Sequence, residues 1–250
     1  MLLIDTDFLA YKSAQACEEG IDFGNDVIVA QSRFSEVLKI FERELRKVKT
    51  AMMDEEVILY FSSPKNFRKE ISADYKGHRN RRKPLGYKRL VNHCIENYRT
   101  VLRDRLEADD SLGIDVTGNC FANITSNYPD EDFIVVSPDK DMRQIPGILW
   151  NMSDDAEEIT KEDGDRWHLM QTLAGDPTDG YPGCPGIGLK RAADLLDKSD
   201  DPWKAVCKAF KDKGLSEDIA LMNARLAKIL QDENYDYDRA EPILWTPVLQ

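Results

Sequence analysis

The chain has 250 residues, 42% hydrophobic and 32% charged, with a formal net charge of −12. That composition describes a globular protein with a real core and excludes a disordered or fibrous chain. The longest apolar runs, such as "VILYF" and "FIVV", are too short to span a bilayer. "MLLID" has no basic n-region or long apolar core, so no signal peptide is expected. Five cysteines, at 17, 94, 120, 184 and 207, form no CxxC and no zinc-ligand spacing. They fit reduced thiols in a cytoplasm. His78, His93 and His168 stand apart from one another and read as surface or hydrogen-bonding residues.

Taken from the N-terminus, "LLID" (2–5) reads as a buried strand ending on Asp5. "AQSRFSEVLKIFERELRKVK" (30–49) places Phe34, Val37, Leu38, Phe41 and Leu45 at helical spacing. "VILYF" (57–61) is a second buried strand. Residues 65–105 then carry 13 Lys/Arg against 4 Asp/Glu, an excess of nine positive charges in an acidic chain. Such segregation marks a surface that grips a polyanion, although a basic run alone also describes a solvated face. Within it, 65–90 holds Pro84 and Gly86 and reads as a poor core segment, a mobile lid over the sheet edge. "FIVVS" (133–137) is a third buried strand; "RTVLRD" (99–104) and "GILW" (147–150) are weaker ones. After residue 160 the pattern turns helical, through "DRWHLMQTLAG", "LKRAADLL", "WKAVCKAF" and "SEDIALMNARLAKILQ".

Strands alternating with helices predict an α/β fold with a central, mainly parallel sheet and flanking helices. The expected organisation is an α/β core over 1–160 and a helical region over 161–250 packed on it as one unit.

Ligands of an open parallel sheet bind outside the carboxyl ends of its strands. Acidic residues follow the proposed strands: Asp5, then Glu107, Asp109 and Asp110 in "LEADD", then Asp139 and Asp141 in "VSPDKD". "GDPTDG" adds Asp176 and Asp179 from the helical part. Singly, each is ordinary in an acidic chain, and a DxD in a loop is commonly a turn or cap. Together on one edge they would repel one another unless cations sat between them. Oxygen ligands without His or Cys select hard cations, Mg²⁺ or Mn²⁺, and two such ions clamp a phosphodiester for in-line attack. A Ca²⁺-binding module is the weaker alternative, because EF-hand spacing is absent.

"PGIGLKRA" sets Gly183, Gly186 and Gly188 before a helix that starts near Leu189. It is not a Walker A motif. Glycines here let backbone N–H groups and a helix N-terminus meet a phosphate, with Lys190 and Arg191 close by. A plain helix-connecting turn would explain the glycines but not the adjacent Asp176 and Asp179.

The order Asp5, "YKGHR", "LEADD", "DKD" and "GDPTDG…PGIGLKRA" resembles the flap endonuclease/5′-nuclease superfamily. "NFRKEISADYKGHR", "RRKPLGY", "GDPTDGY" and "ILQDENYDYDRAEPILW" bring it nearest to the 5′→3′ exonucleases of short-tailed lytic bacteriophages. The resemblance covers nearly the whole chain. It implies a flexible basic arch at 65–98 and a helix-three-turn-helix at 173–197 that binds duplex DNA through Gly183, Gly186, Gly188, Lys190 and Arg191, with a K⁺ ion on backbone carbonyls. Asp5, Glu107 and Asp109 would hold the first Mg²⁺ or Mn²⁺ ion. Asp139, Asp141, Asp176 and Asp179 would hold the second, with Asp110 beside both. Tyr75, Lys76 and Arg79 match the arch base, where Lys76 and Arg79 steer the scissile phosphate, and Arg81, Arg82 and Lys83 continue the DNA contact. The implied protein is a monomeric nuclease of the host-cell cytoplasm, acting on 5′ ends, nicks, flaps and RNA–DNA hybrids. One departure stands out: the family's aspartate after the second strand matches Ser63 here, leaving open a binding protein of the same fold that has lost catalysis. Asp7 either compensates through water or caps the following helix.

Overall fold

Strand alternation sets the architecture of the computed structural model, which describes residues 1–54, 56–79, 82–118 and 133–247. Strand β1 (Leu2–Asp5) leads into α1 (Thr6–Gln15), a hairpin of β2 (Glu19–Asp22) and β3 (Ile28–Gln31), and α2 (Phe34–Met52). Then come β4 (Val57–Tyr60), α3 (Arg68–Ile71), α4 (Tyr87–Asn97), β5 (Thr100–Val101) and α5 (Ala108–Gly118). β6 (Ile134–Val136), a 3₁₀ turn (Lys140–Gln144), β7 (Gly147–Trp150) and β8 (Glu157–Ile159) complete the core. Helices α6 (Lys161–Ala174), α7 (Leu189–Leu196), α8 (Pro202–Lys211) and α9 (Glu217–Ala227) follow, with a small hairpin of β9 (Tyr235–Asp236) and β10 (Glu241–Pro242).

The central sheet has the order β5-β4-β1-β6-β7-β8 and is parallel except for β8, which pairs antiparallel with β7. Successive strand residues face opposite sides. Leu2, Ile4, Leu59, Phe61 and Val136 therefore meet Leu9, Phe41, Leu45 and Leu90 of α1, α2 and α4. Leu3, Ile58, Tyr60 and Val135 meet Leu112 of α5, together with Met142 and Ile229. Both faces are covered, as a parallel sheet requires. The helical part has its own core, with Leu173, Ala192, Val206, Phe210 and Ala220. Thr160 and Asp163 close a capping box at the start of α6. Buried Gln144 ties the sheet to this region: its amide donates to Gln171 Oε1 at 2.6 Å and to the Ala227 carbonyl at 2.7 Å.

Three features differ from the sequence reading. Helix α2 begins at Phe34 rather than residue 30, because Ala30 and Gln31 belong to the β2–β3 hairpin. Edge strand β8 was not anticipated from "EEI". Segment 65–90 is not a poor core segment throughout: Phe67, Arg68, Tyr75 and Tyr87 are buried, and α3 starts within it. Among the described residues, no helix is long and apolar enough to cross a membrane. Cys17, Cys94, Cys184 and Cys207 are free thiols; Cys120 lies outside the described residues.

Candidate metal centre

The connection from β5 to α5 delivers Glu107, Asp109 and Asp110 to the first turn of α5. One carboxylate oxygen from each lies within 4.8 Å of the others. Arg68, which reads in the sequence as one more charge of the basic run, is only 2% exposed and answers that density. Its guanidinium donates to both Asp110 oxygens at 2.7 Å, to Glu107 at 3.3 Å and to the Leu226 carbonyl at 3.0 Å. Asp110 also accepts the Glu107 and Leu230 amides. Asp110 is thus enclosed as an anchor, while Glu107 and Asp109 keep the more open positions. Burial pushes the Glu107 carboxyl up, but Lys76 and Arg68 outweigh it and hold it at about 2. Burial, then Asp110 and Glu107, raise Asp109 well above the usual carboxylate range.

Asp5 ends β1 on the same sheet edge. Buried Ser137 donates to Asp5 at 3.0 Å and accepts the Asp139 amide at 3.2 Å, linking the ends of β1 and β6. Burial, then the neighbouring Asp7, push the Asp5 carboxyl to about 7. Asp139 accepts the Asp141 amide at 3.0 Å. Burial and then Asp139 push Asp141 to about 7, and its Oδ1 is buried with no hydrogen-bond partner. Asp176 and Asp179 add to the negative field around Asp141, although Lys140 approaches Asp176 at 3.6 Å. Asp5, Asp139, Asp141, Asp176 and Asp179 lie outside the close triplet. Asp179 reaches Glu107 through Lys76 and through the Tyr75 hydroxyl, which donates to Glu107 at 2.8 Å and Asp179 at 3.2 Å.

Asp7 lies half-buried in the first turn of α1. It accepts the Ser62 amide at 3.1 Å and the Tyr87 hydroxyl, joining α1, the end of β4 and α4. Ser63 takes Asp104 and the Lys65 amide as partners, at 3.4 and 3.2 Å. Ser62 is the serine between the carboxylate-bearing segments, with its hydroxyl accepting the Ala108 amide at 3.0 Å. Adjacent side chains diverge at the strand end, so Ser62 and Ser63 take different partners.

Of the residues expected to meet DNA, Tyr75 and Gly183 are buried. Gly183 packs against Gly175, where a Cβ would lie 2.3 Å from the Gly175 nitrogen. Gly186, Gly188, Lys190 and Arg191, at the α6–α7 connection and the start of α7, are exposed. Arg79 pairs with Asp179 at 2.7 Å, Arg82 pairs with Glu18 at 2.5 Å, and Lys83 lies 4.0 Å over the Tyr87 ring. Arg81 lies outside the described residues. Arg68, Ser62 and Ser137 escaped the sequence reading, since no local signal marks a charge or hydroxyl that is buried only by distant elements.

The donor set fits a hard divalent cation: it is all oxygen, with a buried unpartnered Oδ1 on Asp141, and with burial and then mutual repulsion raising Asp5, Asp109 and Asp141. Fold and site together define an α/β protein with an acidic sheet edge, suited to a divalent cation, in contact with basic residues. No family model matches the chain. It is 27% identical to the exodeoxyribonuclease of Enterobacteria phage T3 over 286 aligned positions, covering 99% of this chain and 93% of that protein. It is 26% identical to the exonuclease of Escherichia phage T7, with the same coverage. The fold matches the flap endonuclease of bacteriophage T5, solved with DNA and metal ions, at a TM-score of 0.65 and 15% identity, over 91% of this chain and 88% of that one. These likenesses support placing the chain in the flap endonuclease/5′-nuclease superfamily, close to the phage exonucleases.

Proposed function

We propose that this enzyme is a metal-dependent 5′→3′ exodeoxyribonuclease with flap endonuclease and RNase H-like primer-removal activity, working in phage DNA replication and host DNA degradation. The observation that carries the reading is the carboxylate edge beneath Lys76 and Arg79, in a chain similar along nearly its full length to phage exonucleases. Asp5, Glu107 and Asp109 hold one cation and Asp139, Asp141, Asp176 and Asp179 a second, with Asp110 fixing the first group through Arg68. When bound, Mg²⁺ or Mn²⁺ supplies an activated water and neutralises charge at the phosphodiester. Lys76 and Arg79 orient the scissile phosphate. Gly186, Gly188, Lys190 and Arg191 grip duplex backbone without reading sequence, and K⁺ on nearby carbonyls completes that contact. The substrates are duplexes with 5′ ends, nicks or flaps, and RNA–DNA hybrids.

Incubation of a 5′-labelled flap or nicked duplex with and without Mn²⁺ tests this reading. Cation-dependent cleavage is expected; binding with no cleavage at any Mg²⁺ or Mn²⁺ concentration would replace the enzyme with a DNA-binding protein of the same fold. The motive for that second reading was Ser63, whose hydroxyl pairs with Asp104 and the Lys65 amide.

A further inference from the structure

Lys76 stands where the two carboxylate groups meet. Its Nζ lies 2.5 Å from Glu107 Oε1 and 3.4 Å from Asp179 Oδ2, and all three side chains are mostly covered. Its own backbone is docked as well, the N–H donating to the Asp179 carbonyl at 2.7 Å. At φ +51° the residue adopts a left-handed conformation that is unfavourable for side chains other than glycine. Gly180 permits the approach, since a Cβ there would lie 2.5 Å from the Asp74 carbonyl oxygen. Arg79 adds a second cationic contact to Asp179 at 2.7 Å. A built clasp therefore presses the arch base onto the Asp176–Tyr181 turn.

An ammonium shared by carboxylates from distant parts of the chain relieves their repulsion, as a divalent ion between them would. The geometry points to Lys76 as an internal counter-cation that occupies Glu107 and Asp179 in the cation-free protein and leaves them when a divalent ion binds. This inference rests on the reading of these carboxylates as cation ligands. An oxygen that accepts Nζ at 2.5 Å cannot also hold a divalent ion without bringing two positive centres into close contact. Docked lysine and bound ion therefore oppose each other, and by linkage each weakens the other by the same factor. Release by the ion would turn Lys76 toward phosphate only once the site is loaded, which couples cation binding to substrate engagement.

Two measurements on the whole chain without DNA test the exchange. In calorimetric titration with Mn²⁺, Lys76→Met should lower the half-saturating concentration about tenfold, while lowering the thermal midpoint in EDTA. A lysine that merely supports the site predicts the reverse for Mn²⁺, namely weaker binding. In the wild type, amine labelling read by mass spectrometry should show Lys76 becoming reactive along the Mn²⁺ binding curve. Unchanged or weaker Mn²⁺ binding by Lys76→Met overturns the inference, as does Lys76 labelling that stays constant up to saturating Mn²⁺. Protein that exchanges Lys76 for Mn²⁺ yet leaves a flap uncut sinks the nuclease reading alone. Flap cleavage with Lys76 protected throughout sinks this one.

Discussion

Arg68 and Asp110 are a buried ion pair beside Glu107 in the acidic cluster. Removing one partner leaves an uncompensated charge in the interior, a change that costs about 3–5 kcal/mol. Arg68→Met should lower unfolding stability by about that amount in urea titration, and Asp110→Leu in the same chain should restore part of it. Additive losses from the two changes would show that the pair is not coupled. Asp141 makes a different statement through pH. Its carboxyl is raised to about 7, so the folded chain keeps a proton that the unfolded chain has released. Stability from this group therefore falls as pH rises from about 4 to about 7. His168 works in the opposite direction, since burial holds its imidazole at about 3 and the unfolded chain protonates first. The Asp141 contribution is isolated by comparing wild type with Asp141→Asn in EDTA. Wild type should lose stability relative to the variant between pH 5 and pH 7.5; a flat difference would remove the raised carboxyl from the account.

At the scale of elements, the β2–β3 hairpin and α2 show how differently the chain spends its apolar residues. Phe23 and Ile28 on the hairpin are 67% and 70% exposed, whereas Phe41 of α2 is fully buried. Phe23→Ser and Ile28→Ser should each change stability by no more than about 0.5 kcal/mol, while Phe41→Ala should cost about 3–5 kcal/mol. Calorimetric unfolding of the three variants separates them. The start of α7 carries a prediction about binding. Lys190 is exposed just beyond the Gly186–Gly188 turn, so Lys190→Ala should weaken duplex binding and reduce the salt slope by about one unit. An unchanged slope in a fluorescence titration across salt concentrations would take Lys190 off the phosphate contact.

For the whole molecule, the distribution of charge matters more than its total. A segment with nine excess positive charges lies along an otherwise strongly acidic chain, and the fold docks the base of that segment onto the carboxylates. Asp139→Asn with Asp141→Asn should nearly abolish Mn²⁺-dependent cleavage while keeping or tightening DNA binding, because repulsion toward phosphate falls as ligands are lost. Cleavage near the wild-type rate would exclude both residues from the centre. Much of this plan was legible in order along the chain. Strands β1, β4, β6 and β7, the apolar stripe of α2, the helical C-terminal part and the acidic residues after the strands all follow from local periodicity and from the rule that parallel sheets bind at their carboxyl ends. The hairpin and β8 were not, because short strands with few apolar residues carry little periodic signal. Pairings across the fold lay further out of reach. Which partners Ser62 and Ser63 take, that Arg68 is enclosed with Asp110, and that Tyr75 and Gly183 are buried depend on residues tens of positions away. Sequence determined which residue types reach the sheet edge, since each strand carries its own ending. Only the tertiary structure decided which of them pair there, because burial and charge compensation are set by elements that meet only when the chain is folded.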